Sequence, residues 1–416
     1  MPIFELLSLV VCIAALFGWL SVRWLRLPLT IGTMLLTVVS ALGLVAASTW
    51  APGLHPWALR LVNEIDFDRL ILHGMLALLL FAGAFLLDLE MLWRERLAVA
   101  VLAVPGTVAS ALLIAALMHL VLPWLGIGTG WLPCLFFGAL ISPTDPIAVL
   151  EMLRRVGASK TLQAQLAGES LFNDGVGAVI FLTVLDVARG GSASPAHITQ
   201  TLLAQVGGGL LLGIAAAWIT SWMMRIVNAY QVEILMTLSL ALGAYALADR
   251  LHLSAPLEAV AAGIALRRFN RSHPAHTIAH ESVDRFWEVI DEIQNAVLFV
   301  LMGLQVLAIA FSFRAGLSGL VAIVIVNMVR LAVVALALGS LRVCRYKRET
   351  SVTALTWGGL HGGLSLALAF AVPDAPQNAW ILPATYIAVL FSIVVQGGSM
   401  DIFLKRSNLA KQAEAD

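Results

Sequence analysis

Five ionisable residues fall in the middle of long apolar stretches: Asp145, Glu169, Asp174, Arg330 and His361. An ionised side chain at the centre of a bilayer costs a few kcal/mol on insertion scales, so each is a candidate for chemistry. Oxygen donors and helix breakers surround them. The stretch Ser142-Pro143-Thr144-Asp145-Pro146 cannot run on as a helix, because each proline removes a backbone donor and disfavours helical geometry in the residue before it. The stretch Gly168-Glu169-Ser170-Leu171-Phe172-Asn173-Asp174-Gly175 carries two polar stripes if helical. Ser170 and Asp174 share one face, and Glu169 and Asn173 the neighbouring one. The first stripe, with Asp145 and the freed carbonyl of Thr144, supplies only oxygens, the donor set of a small hard cation. The second stripe faces Arg330, whose carboxylate partner is then Glu169.

These residues need a membrane scaffold to hold them. Of the 416 residues, 60% are hydrophobic and 12% charged, about half the charged share of a soluble domain. That composition excludes a soluble enzyme. The formal charge is zero, so no long-range field recruits nucleic acid. Cys12, Cys134 and Cys344 lie far apart, without metal-ligand or disulfide spacing. Apolar runs of membrane-crossing length predict thirteen helices, near 3–22, 28–48, 69–87, 97–122, 131–153, 162–187, 199–226, 232–250, 255–269, 286–311, 316–342, 350–372 and 379–404. The first has no preceding basic residue and runs into Arg23 and Arg26, so it reads as a retained helix and not a cleaved signal. Between these helices, 19 Lys and Arg fall on one face and 5 on the other, leaving Arg330 inside. The richer face, with Arg154, Arg155, Arg267, Arg268, Arg345, Arg348 and the C-terminus, is the cytoplasmic one, and the N-terminus lies outside.

The breakers have matching positions. The fifth predicted helix breaks at the prolines, and the twelfth at Trp357-Gly358-Gly359-Leu360-His361-Gly362-Gly363. If helices 1–6 and 8–13 form two repeats, both breaks occupy the same place in each. The fold class predicted is thus an all-α polytopic membrane protein, an inverted repeat with two broken helices crossing over an ion site. The chain is one transmembrane unit over 1–416.

The Ser-Pro-Thr-Asp-Pro stretch, the Gly-Glu-Ser-Leu-Phe-Asn-Asp-Gly stretch, Phe286-Trp287-Glu288 with Asp291-Glu292, and the Trp-Gly-Gly-Leu core of the twelfth helix together resemble the NhaP-type sodium/proton antiporters. The resemblance spans essentially the whole chain. It implies a secondary transporter and not an enzyme: a thirteen-helix homodimer of the bacterial inner membrane. A moving core of helices 4–6 and 11–13 (about 97–187 and 316–404) would work against a dimerisation part of helices 1–3 and 7–10. Matched by motif, Asp174 is the main cation and proton carrier, with Asp145, Thr144 and Ser170 completing the Na+ site; Asn173 is structural, and Glu169 and Arg330 form an ion pair beside it. The Asn-Asp pair implies electroneutral one-for-one exchange of Na+ or Li+ for H+, with no resident cofactor and a role in pH homeostasis. Relatives read Gly-Leu-Arg-Gly where this chain has Gly359-Leu360-His361-Gly362, which makes His361 either a packing group or a pH-responsive one. Some relatives also place a glutamate in the third helix, where Phe81-Ala82-Gly83 supplies none.

The mechanism expected is competition of proton and cation for Asp174. Rival readings are a K+/H+ antiporter or cation channel of the same fold, and an intramembrane aspartyl protease, whose Gly-x-Gly-Asp pattern is absent. Other polar residues read more plainly. His119 and Asp186 face the membrane interface, and Glu151, Glu233, Asp249 and Glu258, near helix ends, read as solvated boundary positions in preference to the lining of an access funnel. Trp19, Trp24, Trp50, Trp57, Trp93, Trp124 and Trp131 form an aromatic belt, and the glycines at 207, 208, 209 and 213 permit close helix packing.

Overall fold

The computed structural model describes residues 3–25, 29–48, 74–191, 194–227, 229–270, 277–307, 312–343 and 352–400, with a few isolated positions between them. Trp57, Arg345, Arg348, Cys344 and the stretches 69–73 and 404–416 lie outside the described residues, as do the side chains of Glu151 and Arg155.

The described residues form helices without strands. In chain order they are α1 (Ile3–Leu20), α2 (Leu29–Ala47), α3 (Leu76–Leu86), α4 (Leu89–Arg94), α5 (Arg96–Val101), α6 (Thr107–Val121), α7 (Trp131–Ile141), α8 (Ile147–Val156) and α9 (Lys160–Ala188). There follow α10 (Pro195–Met224), α11 (Tyr230–Ser239), α12 (Tyr245–Arg250), α13 (Ala255–Asn270), α14 (Thr277–Leu304), α15 (Phe313–Val343), α16 (Val352–Gly358), α17 (Gly363–Phe370) and α18 (Ile381–Phe391).

Among the described residues, nine helical runs are long and apolar enough to cross a membrane. The other four predicted crossings fall on α3, on the α7/α8 pair, on α13 and on the α16/α17 pair, each too short to qualify by that measure. Local signals set many of the boundaries. Ser159 caps α9 by accepting from the Leu162 amide at 3.3 Å, and α8 stops at Gly157 in the left-handed conformation (φ 70°). Pro105 lacks the amide hydrogen an α-helix needs, and the π-helical turn Leu102–Gly106 between α5 and α6 absorbs the defect.

Two boundaries differ from expectation. α14 begins at Thr277 and not near 286, because its first turns are amphipathic and carry no continuous apolar run. The fourth predicted helix is preceded by α4, which Asp88 caps by accepting from the amides of Glu90 (3.0 Å) and Met91 (3.3 Å).

Small residues let the helices approach. A Cβ at Gly208, Gly209 or Gly213 of α10 would meet Leu253, Ser254 or Glu258, so α10 lies directly on α13 and its approach. Gly207 has nothing within 4 Å and takes no part in that packing. Trp19, Trp24, Trp50, Trp93, Trp124 and Trp131 are all exposed. The boundary reading fails at Glu233 and Glu258, 1% and 0% exposed respectively, because neighbouring helices cover positions that look terminal in the sequence. Asp249 and Asp186 are exposed, and His119 stacks on Trp131 with ring centroids 4.3 Å apart.

Candidate functional site

Both predicted breaks are present. α7 ends at Ile141 and α8 starts at Ile147; α16 ends at Gly358 and α17 starts at Gly363. The two unwound segments touch. The Asp145 amide donates to the Leu360 carbonyl at 2.7 Å, and His361 Nδ1 lies 3.0 Å from the Pro143 carbonyl. Since a carbonyl only accepts, that contact requires hydrogen on Nδ1. The His361 amide in turn donates to Ser392 Oγ at 3.0 Å, in the π-helical turn Ser392–Gly397 that follows α18. Each unwound backbone thus satisfies the other, which is how irregular chain is tolerated inside a membrane. Contact is close enough that a Cβ on Gly362 would overlap the Asp145 carboxylate, and one on Gly177 of α9 would overlap the Pro143 ring.

α9 supplies the third side. Ser170 Oγ donates to the Thr144 carbonyl. Asn173 makes two bonds to the same residue, its Oδ1 accepting from the Thr144 amide at 3.2 Å and its Nδ2 donating to Thr144 Oγ1 at 2.8 Å. The second polar stripe of α9 therefore divides: Glu169 pairs with Arg330, while Asn173 turns to the break. The reason is chemical, because a primary amide matches both the amide hydrogen and the hydroxyl of Thr144. Thr144, Ser170 and Asn173 are 4%, 2% and 1% exposed. Asp145 Oδ1 accepts from the amide of Ile147, the first residue of α8, at 3.0 Å.

Arg330, in the middle of α15, donates from Nη1 to Glu169 Oε1 and from Nη2 to the Leu355 carbonyl of α16 at 3.3 Å. Both charged residues are buried, and the second carboxylate oxygen of Glu169 has no hydrogen-bond donor among the described residues. The pair ties α9, α15 and the last turn of α16 together.

A cavity of about 690 Å³ reaches this point. Thr144, Asp145, Ser170 and Asp174 line it, so the two carboxylates open on one space. Its lining comes from the 143–147 break, α8, α9 and residues 362–365, together with α2, α3 and α14. Glu169, Arg330, Asn173 and His361 do not line it and act from behind. In the third predicted helix Gly83 faces the cavity, whereas Ala82 is fully buried elsewhere.

The sequence motif that includes Glu288, Asp291 and Glu292 did not reveal their place at the cavity. Glu288, Asp291, Glu292 and Asn295 of α14 all line the cavity, with Arg154 of α8 among their neighbours there. Their spacing of three and four residues was the available signal. Trp287, on another face of α14, is fully buried, donates to Thr237 Oγ1 at 3.0 Å and packs on Phe81, which holds the acidic face toward the cavity.

The comparisons agree with this architecture. The chain is 38% identical over 410 residues to the Na(+)/H(+) antiporter NhaP of Pseudomonas aeruginosa, covering 97% of this chain and 96% of that protein. It is 28% identical to the Na(+)/H(+) antiporter NhaH of Halobacillus aidingensis, covering 88% and 90% respectively. The solved sodium proton antiporter MjNhaP1 from Methanocaldococcus jannaschii shares the fold, with a TM-score of 0.76 at 18% identity over the full length of both chains. The family model described as "Sodium/hydrogen exchanger, transmembrane" matches residues 11–406, and the chain belongs to that family.

Proposed function

We propose that the protein exchanges Na+ or Li+ for H+, one for one, across the bacterial inner membrane, by competition of cation and proton for Asp174. The observation that carries this reading is that Asp174 and Asp145 line one cavity beside the crossing of two broken helices. A carboxylate carried across the membrane barrier is costly when charged and empty, so the states that cross are the proton-bound and the cation-bound ones. Asp145, Ser170 Oγ and Thr144 bring further oxygens to the same space and complete a cage suited to a small hard cation. Only a loaded site crosses, which couples the two fluxes.

We assign 97–187 and 316–404 to a moving core and helices 1–3 and 7–10 to a dimerisation part; that the cavity is lined by residues of both sets supports this division. Thirteen crossings, a homodimer, a periplasmic N-terminus, a cytoplasmic C-terminus and a role in pH homeostasis complete the proposal. The excess of Lys and Arg on one face supports the orientation.

The test is dissipation of an acid-inside gradient in proteoliposomes by Na+, Li+ and K+ in turn. Na+ and Li+ should dissipate it, and Asp174→Asn should abolish the response while the protein still folds. Retained Na+ response in Asp174→Asn rejects the assignment of Asp174, and a response to K+ alone reassigns the cation.

A further inference from the structure

α14 lines the same cavity with polar groups other than the oxygens placed around Asp174. Glu288, Asp291, Glu292, Asn295 and Leu298 form a single stripe along that helix, all lining the cavity. With a rise of about 1.5 Å per residue, Glu288 lies roughly 4.5 Å and Asn295 roughly 6 Å from Asp291 along the helix axis. Exposure falls along the stripe: Glu288 and Glu292 are exposed, Asp291 is half-buried, and Asn295 is 3% exposed.

Asn295 lies one helical turn beyond Asp291 on the same face of α14. Its Oδ1 is buried and has no hydrogen-bond donor among the described residues. An unsatisfied buried acceptor beside a carboxylate suits a cation, which would answer both at once. Asp291 is also near enough to Asp145 to interact with it electrostatically, and the opposite charge of Arg154 acts on it in the same cavity.

We propose that Asp291 and Asn295 form an outer cation site, which takes a partly dehydrated Na+ from the cavity mouth and passes it to Asp145 and Asp174. The proposal rests on the exchange reading above. A carboxylate oxygen and an amide oxygen are hard ligands, and cavity water completes the shell. Arg154 weakens the hold, as a site that must release its ion inward requires.

Na+-driven proton movement in everted membrane vesicles, where the face carrying Arg154 is outermost on the proposed orientation, tests it. In Asp291→Asn and in Asn295→Ala the half-saturating Na+ concentration should rise at least threefold while the saturating rate stays within twofold. Asn295→Ala leaves every charge in place, so an unchanged half-saturating concentration there reduces Asp291 to a field effect and overturns the site; Asn295→Ser serves if the alanine variant does not fold. Calorimetric titration with NaCl gives a readout independent of exchange. Asp174→Asn should keep a weak Na+-binding heat that Asp174→Asn/Asp291→Asn loses, and absence of that heat in Asp174→Asn also overturns the site. Wild-type vesicles insensitive to Na+ would instead reject the exchange reading, with calorimetry still deciding the outer site.

Discussion

Removing either partner of the Arg330–Glu169 pair should damage the fold far more than removing both. The guanidinium holds Glu169 on one side and the Leu355 carbonyl, near the end of α16, on the other. Arg330→Ala leaves Glu169, 1% exposed, with no donor for either oxygen, and frees the Leu355 carbonyl as well. Stranding one charge of a buried pair costs about 3–5 kcal/mol, and the lost carbonyl bond about 1 kcal/mol more. Glu169→Ala strands Arg330 at a similar cost. Two independent losses would sum to about 7–11 kcal/mol in a double variant. The paired arrangement predicts otherwise: Glu169→Leu with Arg330→Met, which removes both charges and keeps the volume, should lie within about 2 kcal/mol of wild type. Unfolding in mixed SDS and dodecyl maltoside micelles measures the difference, with folded yield by size-exclusion chromatography as a check. Single variants within about 1 kcal/mol of wild type, or a double variant as unstable as the sum, would refute the reasoning.

Other perturbations separate positioning from packing. Gly362→Ala drives a methyl group into the Asp145 carboxylate and should abolish Na+-dependent exchange, whereas Gly363→Ala meets only the Leu298 side chain and should retain it; transport assays on both decide whether contact at the crossing matters. Asn173→Ala deletes both bonds to Thr144 and should lower stability by about 1–3 kcal/mol in the same unfolding assay, with exchange slowed because the break loosens. Glu258→Met removes two buried oxygens that have no partner among the described residues, and should raise the unfolding midpoint by the equivalent of about 1–3 kcal/mol; a lower midpoint would mean that the carboxyl is satisfied in the folded protein.

The chemistry of the centre was legible in the residues themselves. A bilayer makes every buried charge expensive, so Asp145, Glu169, Asp174 and Arg330 stand out against apolar sequence without any knowledge of the fold. Proline and glycine chemistry is equally local, which is why both helix breaks fall where the residue types put them, at 142–146 and 359–362.

What the tertiary structure decided is which groups face which. Helical periodicity places Asn173 beside Glu169, yet contact with Thr144 across helices sends one to the break and the other to Arg330. Burial of Glu233 and Glu258 depends on neighbours distant in sequence, so their position near helix ends misleads. The Glu288-to-Asn295 stripe has an ordinary amphipathic spacing, and only the packing of Trp287 on Phe81 and Thr237 turns it toward the carboxylates. Residue type determines what a side chain costs to bury and what it can bind, because those are properties of single groups. Its partner is settled by the joint geometry of several helices, and no local stretch of sequence contains that information.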